Sequence, residues 1–192
     1  MVQMSCHAEK PAAKFQWRGE PADWKHQSGA LCVEVDAGTD FWQKTHDGGD
    51  RDNGHFYFQV VEGNFVAEVE LRGEYQGQYD HAGLMARVDR ATWLKCGIEY
   101  VDGVQLASAV VTRGWSDWSV MPIGSQPATW WRLARHGQTF QVAFSVDGKK
   151  FETVRQAFLT ENSRVEVGVM ACAPKGDGFS VTFSNLTVEN AP

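Results

Sequence analysis

The chain has 192 residues, of which 43% are hydrophobic and 22% are charged, and its 24 acidic and 18 basic side chains give a formal net charge of −6. This composition excludes a largely disordered or fibrous chain, and the length predicts one domain. The acidic balance argues against nucleic acid or an anionic membrane as the main partner, because both require a basic surface.

The N-terminal segment at residues 1–16 shows no hydrophobic periodicity, and we interpret it as a tail before a single domain at residues 17–192. It contains no apolar run long enough for the core of a signal peptide, and no later segment approaches the ~18 apolar residues of a membrane span. We therefore expect a cytoplasmic protein. The four cysteines, Cys6, Cys32, Cys96 and Cys172, are widely spaced and form no Cys-x-x-Cys pair, which argues against a zinc-ribbon or thioredoxin-type site. The last three lie within strand-like runs and are expected to be buried free thiols.

Apolar and polar residues alternate with period two along most of the chain, which predicts β-strands, whereas helical periodicity is nearly absent. The predicted strands, in chain order, are 31–35, 55–60, 65–72, 83–89, 93–100, 104–112, 131–134, 139–146, 165–171 and 179–189. Among the turn signals between them, Asp102-Gly103 and Asp147-Gly148 favour tight hairpins, because glycine accepts a positive φ. Short strands without intervening helices predict an all-β fold of two packed antiparallel sheets, a β-sandwich or jelly roll.

Three stretches of the sequence together resemble a known family. They are TDFWQKTHDGGDRDNGHFYF at 39–58, YDHAGLMARVDRATWLKCGIEYVDGVQ at 79–105 and VVTRGWSDWSV at 110–120. In this order they are similar to the regulation-of-enolase family, also catalogued as a domain of unknown function, within the concanavalin A-like lectin/glucanase superfamily. The resemblance covers residues 23–189 and implies a concanavalin A-like jelly roll. It implies no enzymatic activity, since a fold does not determine function.

The alternation also predicts a shared polar face, because residues two apart on a strand point to the same side of a sheet. Neighbouring strands are expected to contribute these side chains to it: His55, Tyr57, Gln59, Arg87, Trp93, Lys95, Glu99 and Arg113. The superfamily resemblance implies that saccharides lie on the concave face of one sheet. Aromatic rings beside charged groups suit the C–H faces and hydroxyls of a sugar, so we predict a ligand site here. The alternative is an ordinary solvated face of an antiparallel sheet.

Two pairs of tryptophans are expected to lie in different parts of the fold. Trp115 and Trp118 stand beside turn residues, where they either line the rim of a ligand cleft or tuck into the core as a lid. Trp130 and Trp131 begin a predicted strand, so at least one of them is expected in the core.

The loop at residues 45–55 is dense in polar groups. It contains four candidate oxygen ligands for a structural calcium ion: Asp47, Asp50, Asp52 and Asn53. The same residue types are typical of long turns, because their side chains bond their own backbone, and we predict no cofactor. His46 and His55 lack a third ligand at usable spacing for a transition metal.

Glycoside hydrolysis requires two carboxyl groups flanking the scissile bond, and the resemblance implies that glucanases of this superfamily carry them as Glu-x-Asp-x-Glu. This sequence has no such motif, and it also lacks a nucleophile elbow and a phosphate loop. We therefore predict a non-catalytic module that binds a carbohydrate or a related small polar ligand on the concave face.

Two alternatives remain open. One is a regulatory protein that contacts a metabolic enzyme, with Trp115 and Trp118 as anchors, because tryptophan is enriched in interface hot spots. The other, less favoured, is a glycoside-active enzyme in which His55 or Glu99 serves as the acid or base.

Overall fold

The computed structural model describes residues 15–192, which form two seven-stranded antiparallel sheets and a separate two-stranded hairpin. Sheet A consists, from edge to edge, of β1 (Gln16–Arg18), β6 (His55–Glu62), β15 (Arg164–Cys172), β8 (His81–Asp89), β9 (Thr92–Val101), β10 (Val104–Arg113) and β11 (Ser116–Pro122). The strands are numbered in chain order. Of the predicted tail, residues 1–14 lie outside the described residues, and Gln16 already begins β1.

Sheet B consists, from edge to edge, of β14 (Glu152–Phe158), β13 (Thr139–Ser145), β12 (Thr129–His136), β7 (Phe65–Gly73), β16 (Phe179–Asn190), β3 (Ala30–Val35) and β2 (Asp23–Gln27). The hairpin consists of β4 (Phe41–Gln43) and β5 (Asp50–Asp52). Every strand predicted from alternation is present, and the two-sheet antiparallel fold is confirmed.

The strands that alternation did not predict are short or lie at sheet edges: β1, β2, β4, β5, β11 and β14. An edge strand is held by backbone pairing on one side and does not need a buried face, so its sequence carries little period-two signal. The exposure of β14, in which no side chain is fully buried, illustrates this.

The two Asp-Gly turns have different outcomes. Asp102 and Gly103 both have positive φ, 52° and 81°, and close a two-residue hairpin between β9 and β10, as predicted. The prediction of a tight hairpin at Asp147-Gly148 is wrong, because β13 ends at Ser145 and β14 begins only at Glu152. There the Asp147 carboxylate accepts hydrogen bonds from the backbone of the two following lysines, which orders a longer loop.

The main core lies between the two sheets, where the apolar sides of both meet. Trp131 is fully buried in it, which confirms the expectation for the Trp130-Trp131 pair. Cys96 also lies in this core, and the three described cysteines, Cys32, Cys96 and Cys172, are free thiols as predicted. Cys6 lies outside the described residues. No helix in the described part of the chain is long and apolar enough to cross a membrane.

A second apolar cluster lies on the outer face of sheet A, which is the side that points away from sheet B. Its buried members are Phe41, Phe56, Phe58, Met85, Trp93, Val110 and Met170. The β4–β5 hairpin covers this cluster through Phe41, whose ring centre lies 6.3 Å from that of Trp93. Part of the face predicted to be open is therefore closed by the hairpin.

Two polar contacts attach the hairpin to sheet A. The Arg87 guanidinium donates to both carboxylate oxygens of Asp52, at 2.6 and 2.8 Å. The backbone N–H of Gln43 donates to Ser116 Oγ at 2.9 Å, which joins the hairpin to the first residue of β11. The bidentate pair between Arg87 and Asp52 is planar and has well-defined geometry, so it holds the hairpin in a set position.

Candidate functional site

Four of the predicted site residues share the outer face of sheet A, as the alternation required. Arg87, Trp93, Lys95 and Glu99 alternate with Leu84, Ala86, Leu94, Cys96 and Ile98, all of which pack in the core between the sheets. Trp118 joins the same face, because it pairs with Val110 of the outer apolar cluster.

The grouping of His55, Tyr57 and Gln59 with this face is wrong. Val61, two positions further along β6, packs between the sheets, so all three point to that side, while Phe56 and Phe58 point outward under the hairpin. The usual rule that polar residues face solvent fails on β6 because the hairpin supplies an apolar cover for the outer face.

Hydrogen bonds or aromatic packing join these three residues to other parts of the chain. His55 Nδ1 donates to the Gly19 carbonyl at 2.6 Å, and its Nε2 accepts from the Asp36 N–H at 3.1 Å. Gln59 Nε2 donates to the Val188 carbonyl at 3.0 Å, which ties the two sheets together. Tyr57 packs in an aromatic group at the β1 edge of the sandwich, with Trp17 and Trp24.

Arg113 also lies away from the outer face. It lies two positions after the core residue Val111 on β10 and so points to the same side of the sheet. Its guanidinium carbon lies 5.4 Å from the Phe158 ring centre. The predicted set of eight face residues thus divides into four that share the face and four that do not.

A group of polar side chains lies at the end of the outer face nearer to Trp118. We call it the outer polar cluster, and it consists of Asp40, His81, Lys95, Glu99, Ser108 and Trp118. It is built from four neighbouring strands of sheet A and the segment before the hairpin. Trp118, Lys95 and Glu99 were predicted site residues, whereas Asp40, His81 and Ser108 were not.

Glu99 is the centre of the outer polar cluster. Its Oε2 accepts two hydrogen bonds of 2.7 Å, one from Ser108 Oγ and one from the Trp118 indole Nε1–H. Its Oε1 lies 4.0 Å from His81 Nδ1 and accepts no hydrogen bond from the described residues. The side chain is 7% exposed, so Glu99 presents an oriented carboxylate with one acceptor atom still available.

Lys95 lies four positions before Glu99 on the same face of β9 and is almost completely buried. Its Nζ is 3.9 Å from Asp40 Oδ1 and 4.0 Å from Cys172 Sγ, both longer than an ordinary hydrogen bond. Burial opposes the charge on Lys95, but the nearby carboxylates of Asp40 and Glu99 favour it, and the pKa of Lys95 lies above its ordinary value. The ammonium is therefore charged at neutral pH and balances the carboxylates around it.

Two glycines, Gly83 and Gly97, let the backbones of β8 and β9 approach closely beside Lys95. Lys95 and Cys172 stand on β9 and β15, on either side of β8, and β8 presents Gly83 between them. A Cβ atom on Gly83 would lie 1.9 Å from the Cys96 carbonyl oxygen, and Gly83 pairs with Gly97, which is equally confined. Neither glycine places a side chain between Lys95 and Cys172, whose Nζ and Sγ lie 4.0 Å apart.

His81 is fully buried next to Glu99, and neither ring nitrogen has a hydrogen-bond partner among the described residues. Burial, together with repulsion from Lys95, holds its pKa well below the ordinary value of 6.5. His81 is therefore neutral at physiological pH. Burial likewise raises the pKa of Cys172 to about 12, so this residue is a protonated thiol and not a nucleophile.

Neither Trp115 nor Trp118 lies in the core, which excludes their role as a buried lid. Trp118 is 41% exposed and belongs to β11, while Trp115 is 62% exposed and lies 5.7 Å from the Lys44 ammonium. The ring of Trp118 is thus the exposed part of the outer polar cluster, whereas Trp115 stands toward the Trp93 end of the sheet and makes no hydrogen bond to Glu99.

Arg87 and Trp93 lie at the other end of the outer face. Trp93 is fully buried under Phe41, and the Arg87 guanidinium is occupied by Asp52. A surface groove of about 460 Å³ opens beside Arg87 and is lined in part by Val60 and Glu166. The groove and these residues are separate from the outer polar cluster.

The carboxylates of the loop proposed to hold calcium are paired with arginines. Asp47 contacts Arg51, Asp50 contacts Arg90, and Asp52 contacts Arg87. Asn53 Oδ1 accepts from the backbone N–H of Asp40 at 3.0 Å. Within residues 15–192, no group of three or more His, Cys, Asp or Glu side chains is arranged to hold a metal ion.

Two packed seven-stranded antiparallel sheets, with a polar cluster on the outer face of one, define a jelly-roll β-sandwich. Over residues 17–191 the sequence matches the family described as "Protein of unknown function (DUF1349)", and the chain belongs to this family. It is 38% identical over 173 residues to Regulation of enolase protein 1 of Saccharomyces cerevisiae, a match that covers 90% of this chain and 87% of that protein. The family resemblance of the three sequence stretches is confirmed.

Solved structures support the same fold. A Saccharomyces cerevisiae protein described as functionally unknown has a TM-score of 0.89 at 36% identity, covering 93% of this chain and 97% of that chain. The GH43 protein BlXynB of Bacillus licheniformis has a TM-score of 0.67 at 16% identity, covering 90% of this chain and 36% of that chain. The carbohydrate binding module CBM66 of Bacillus subtilis has a TM-score of 0.60 at 14% identity, covering 91% and 95%. At these identities the two bacterial matches show the fold alone.

Proposed function

We propose that this protein is a non-catalytic, cytoplasmic module that binds a carbohydrate or a related small polar ligand at Glu99 and Trp118. The observation that carries the proposal is the carboxylate of Glu99, which is fixed through Oε2 by Ser108 and Trp118 and keeps Oε1 available beside a half-exposed indole ring. An oriented acceptor next to a flat apolar surface suits a sugar, because its hydroxyls donate and its C–H face packs on the ring.

Two further points support a binding role. A carbohydrate binding module shares the jelly-roll fold, although at 14% identity this likeness extends to the fold only. Glu99 accepts two hydrogen bonds through one oxygen and has no donor role in the described contacts, which suits a binding group better than a proton-donating acid.

Free buried thiols such as Cys96 are typical of a reducing compartment and support the cytoplasmic location.

The test uses the purified full-length chain and isothermal titration calorimetry with a panel of monosaccharides and oligosaccharides. We expect saturable binding of one saccharide class that Trp118→Ala and Glu99→Gln each weaken by at least about tenfold, a loss of ~1.4 kcal/mol. Trp115→Ala is the matched control, because Trp115 is an exposed tryptophan three positions away in the sequence that makes no hydrogen bond to Glu99. Absence of binding, or equal effects of the three variants, would contradict the proposal.

A specific observation also supports a second candidate, a regulatory protein partner of a metabolic enzyme. Trp115, Val120 and Met121 are exposed near one another in sequence at the β11 edge of sheet A, and Trp115 is 62% exposed. Exposed tryptophan at a sheet edge suits a protein contact. The name of the Saccharomyces cerevisiae relative, Regulation of enolase protein 1, suggests enolase as the partner to test.

The second candidate predicts that this chain sediments together with purified enolase, and that Trp115→Ala abolishes the complex while Glu99→Gln leaves it intact. The two variants thus separate the candidates, since the ligand site depends on Glu99 and the protein contact on Trp115. Enolase that sediments alone at micromolar concentrations of both proteins would exclude this partner.

A further inference from the structure

The outer polar cluster has an uneven charge balance that bears on what it binds. Lys95 supplies one positive charge, while Asp40 and Glu99 supply two carboxylates, and His81 is neutral because burial and Lys95 hold its pKa low. The formal charge of the cluster is therefore −1 when both carboxylates are ionised, counted over these four residues.

From this arrangement we infer that the ligand of the outer polar cluster is an uncharged hydroxyl compound, a neutral sugar and not a sugar phosphate or sugar acid. The inference rests on the proposed function and specifies its ligand class. The sequence alone leaves neutral and phosphorylated sugars equally open, since Lys95 and Arg87 suggest anion binding when only residue types are considered.

The free oxygen of Glu99 requires a ligand that donates a hydrogen bond. Oε2 of Glu99 already accepts from Ser108 and Trp118, so the atom left for a ligand is Oε1, which is an acceptor. Only a group that donates can bond to it, and a sugar hydroxyl does so while also accepting. A phosphate or carboxylate is an acceptor at neutral pH and would place its charge against that of Glu99.

An anionic ligand would need an unpaired cation near Glu99, and the cations on this face are already paired. The Lys95 ammonium is buried between Asp40 and Cys172, where the Asp40 carboxylate already compensates its charge. Arg87 is held by Asp52 at the opposite end of the face. The exposed Lys44 lies over the Trp115 ring, and no described contact joins it to Trp118. Arg51 lies 3.8 Å from Asp40 and is also paired with Asp47, so its charge too is engaged by carboxylates. An anion at Glu99 would therefore meet a carboxylate, while the cations of this face are already paired.

Nuclear magnetic resonance of the full chain tests the inference at the site itself. The indole N–H of Trp118 gives its own ¹H–¹⁵N signal, which is assigned by its loss in Trp118→Phe. Glucose, mannose and fructose are each titrated beside their 1-phosphates and 6-phosphates at neutral pH and constant ionic strength. We expect a saturable shift of the Trp118 signal with at least one neutral sugar, and at least about tenfold weaker binding of its phosphates.

Variants then assign the discrimination to Glu99. Glu99→Gln removes the charge with little change in shape, so it should reduce the difference between the neutral sugar and its phosphates to below about threefold. Glu189→Gln, an exposed position at the end of β16, removes the same charge from the protein far from the cluster and should preserve the difference. A difference that is unchanged in Glu99→Gln would overturn the assignment.

The two levels of the proposal fail in different ways. Phosphates that move the Trp118 signal as readily as the neutral sugars, or more readily, would overturn the inference and leave the binding site in place. If no neutral sugar and no phosphate moves the signal, both the inference and the proposed function are overturned together.

Discussion

Trp118 in β11 and Glu99 in β9 are joined across the intervening strand β10 by a hydrogen bond of 2.7 Å from the indole Nε1–H to the carboxylate Oε2. Ser108 of β10 donates to the same oxygen, so three adjacent strands fix one carboxylate. Hydrogen bonds to an ionised group are stronger than neutral ones, and the position of Glu99 depends on them. The exposed ring and the sheltered carboxylate therefore act as one unit.

Replacement of Trp118 by phenylalanine should separate the ring from its hydrogen bond. Trp118→Phe keeps an aromatic surface but removes the donor to Glu99, and we expect a loss of about 1 kcal/mol in the free energy of unfolding. Urea unfolding measures it. Trp115→Phe should leave stability unchanged, because no described acceptor bonds the Trp115 indole; equal losses in both variants would show that the bond to Glu99 contributes nothing.

The ion pair between Asp52 and Arg87 should be essential for the position of the hairpin. Asp52→Asn removes the bidentate carboxylate partner of the buried Arg87 and leaves only Glu166, at 3.7 Å, so we expect a loss of about 3 kcal/mol in unfolding free energy. Asp50→Asn, two residues away, breaks an exposed pair with Arg90 and should have little effect. Urea unfolding of both variants is the measurement, and a loss in Asp52→Asn no larger than in Asp50→Asn would contradict this account.

The neutral state of His81 should make stability fall in mild acid. The pKa of His81 is well below 6.5 in the folded protein because of burial and Lys95, so the unfolded chain binds more protons below pH 6.5. The contribution of neutral His81 to the free energy of unfolding is therefore complete above pH 6.5. Below that pH it declines by up to about 1.4 kcal/mol per pH unit. Unfolding free energies at about pH 7.5 and about pH 5.5 measure the slope.

Two variants identify the residue responsible for that slope. His81→Leu should flatten it, because leucine fills a similar volume and does not titrate. His136→Gln, at the exposed end of β12, should leave it as in the unmodified protein. A slope that persists in His81→Leu would assign the acid sensitivity to other groups.

The confined position of Gly83 should not accept even one methyl group. A Cβ in Gly83→Ala would lie 1.9 Å from the Cys96 carbonyl oxygen, a backbone atom that cannot move without disturbing β9. We expect a loss of more than about 2 kcal/mol in unfolding free energy and a changed environment for Lys95. Gly124→Ala is the comparison, because open space surrounds it and only its positive φ of 69° is strained. A smaller loss at Gly83 than at Gly124 would contradict the close approach of β8 and β9.

Much of the fold follows from local pattern. Along the strands at Phe65–Gly73, His81–Asp89 and Thr92–Val101 the period-two pattern assigns from sequence which residues face the other sheet, although on the last two strands both sides are buried. His81 could have been found by the same reasoning, because it is separated from Arg87 by an even number of positions and so shares its face. Asp40 carries no such signal, since it reaches Lys95 only through the folding of the chain over sheet A.

The class of the fold, the family and the orientation of Lys95, Glu99 and Trp93 on their strand can all be inferred from local sequence, because period-two alternation records which side of a strand is buried between the sheets. What lies over the other side depends on contacts that form only in the folded chain. The hairpin closes the outer face above Phe56 and Trp93 and turns His55, Tyr57 and Gln59 inward. It leaves Glu99 and Trp118 at its margin. Those contacts join residues far apart in the chain, so no local pattern encodes them.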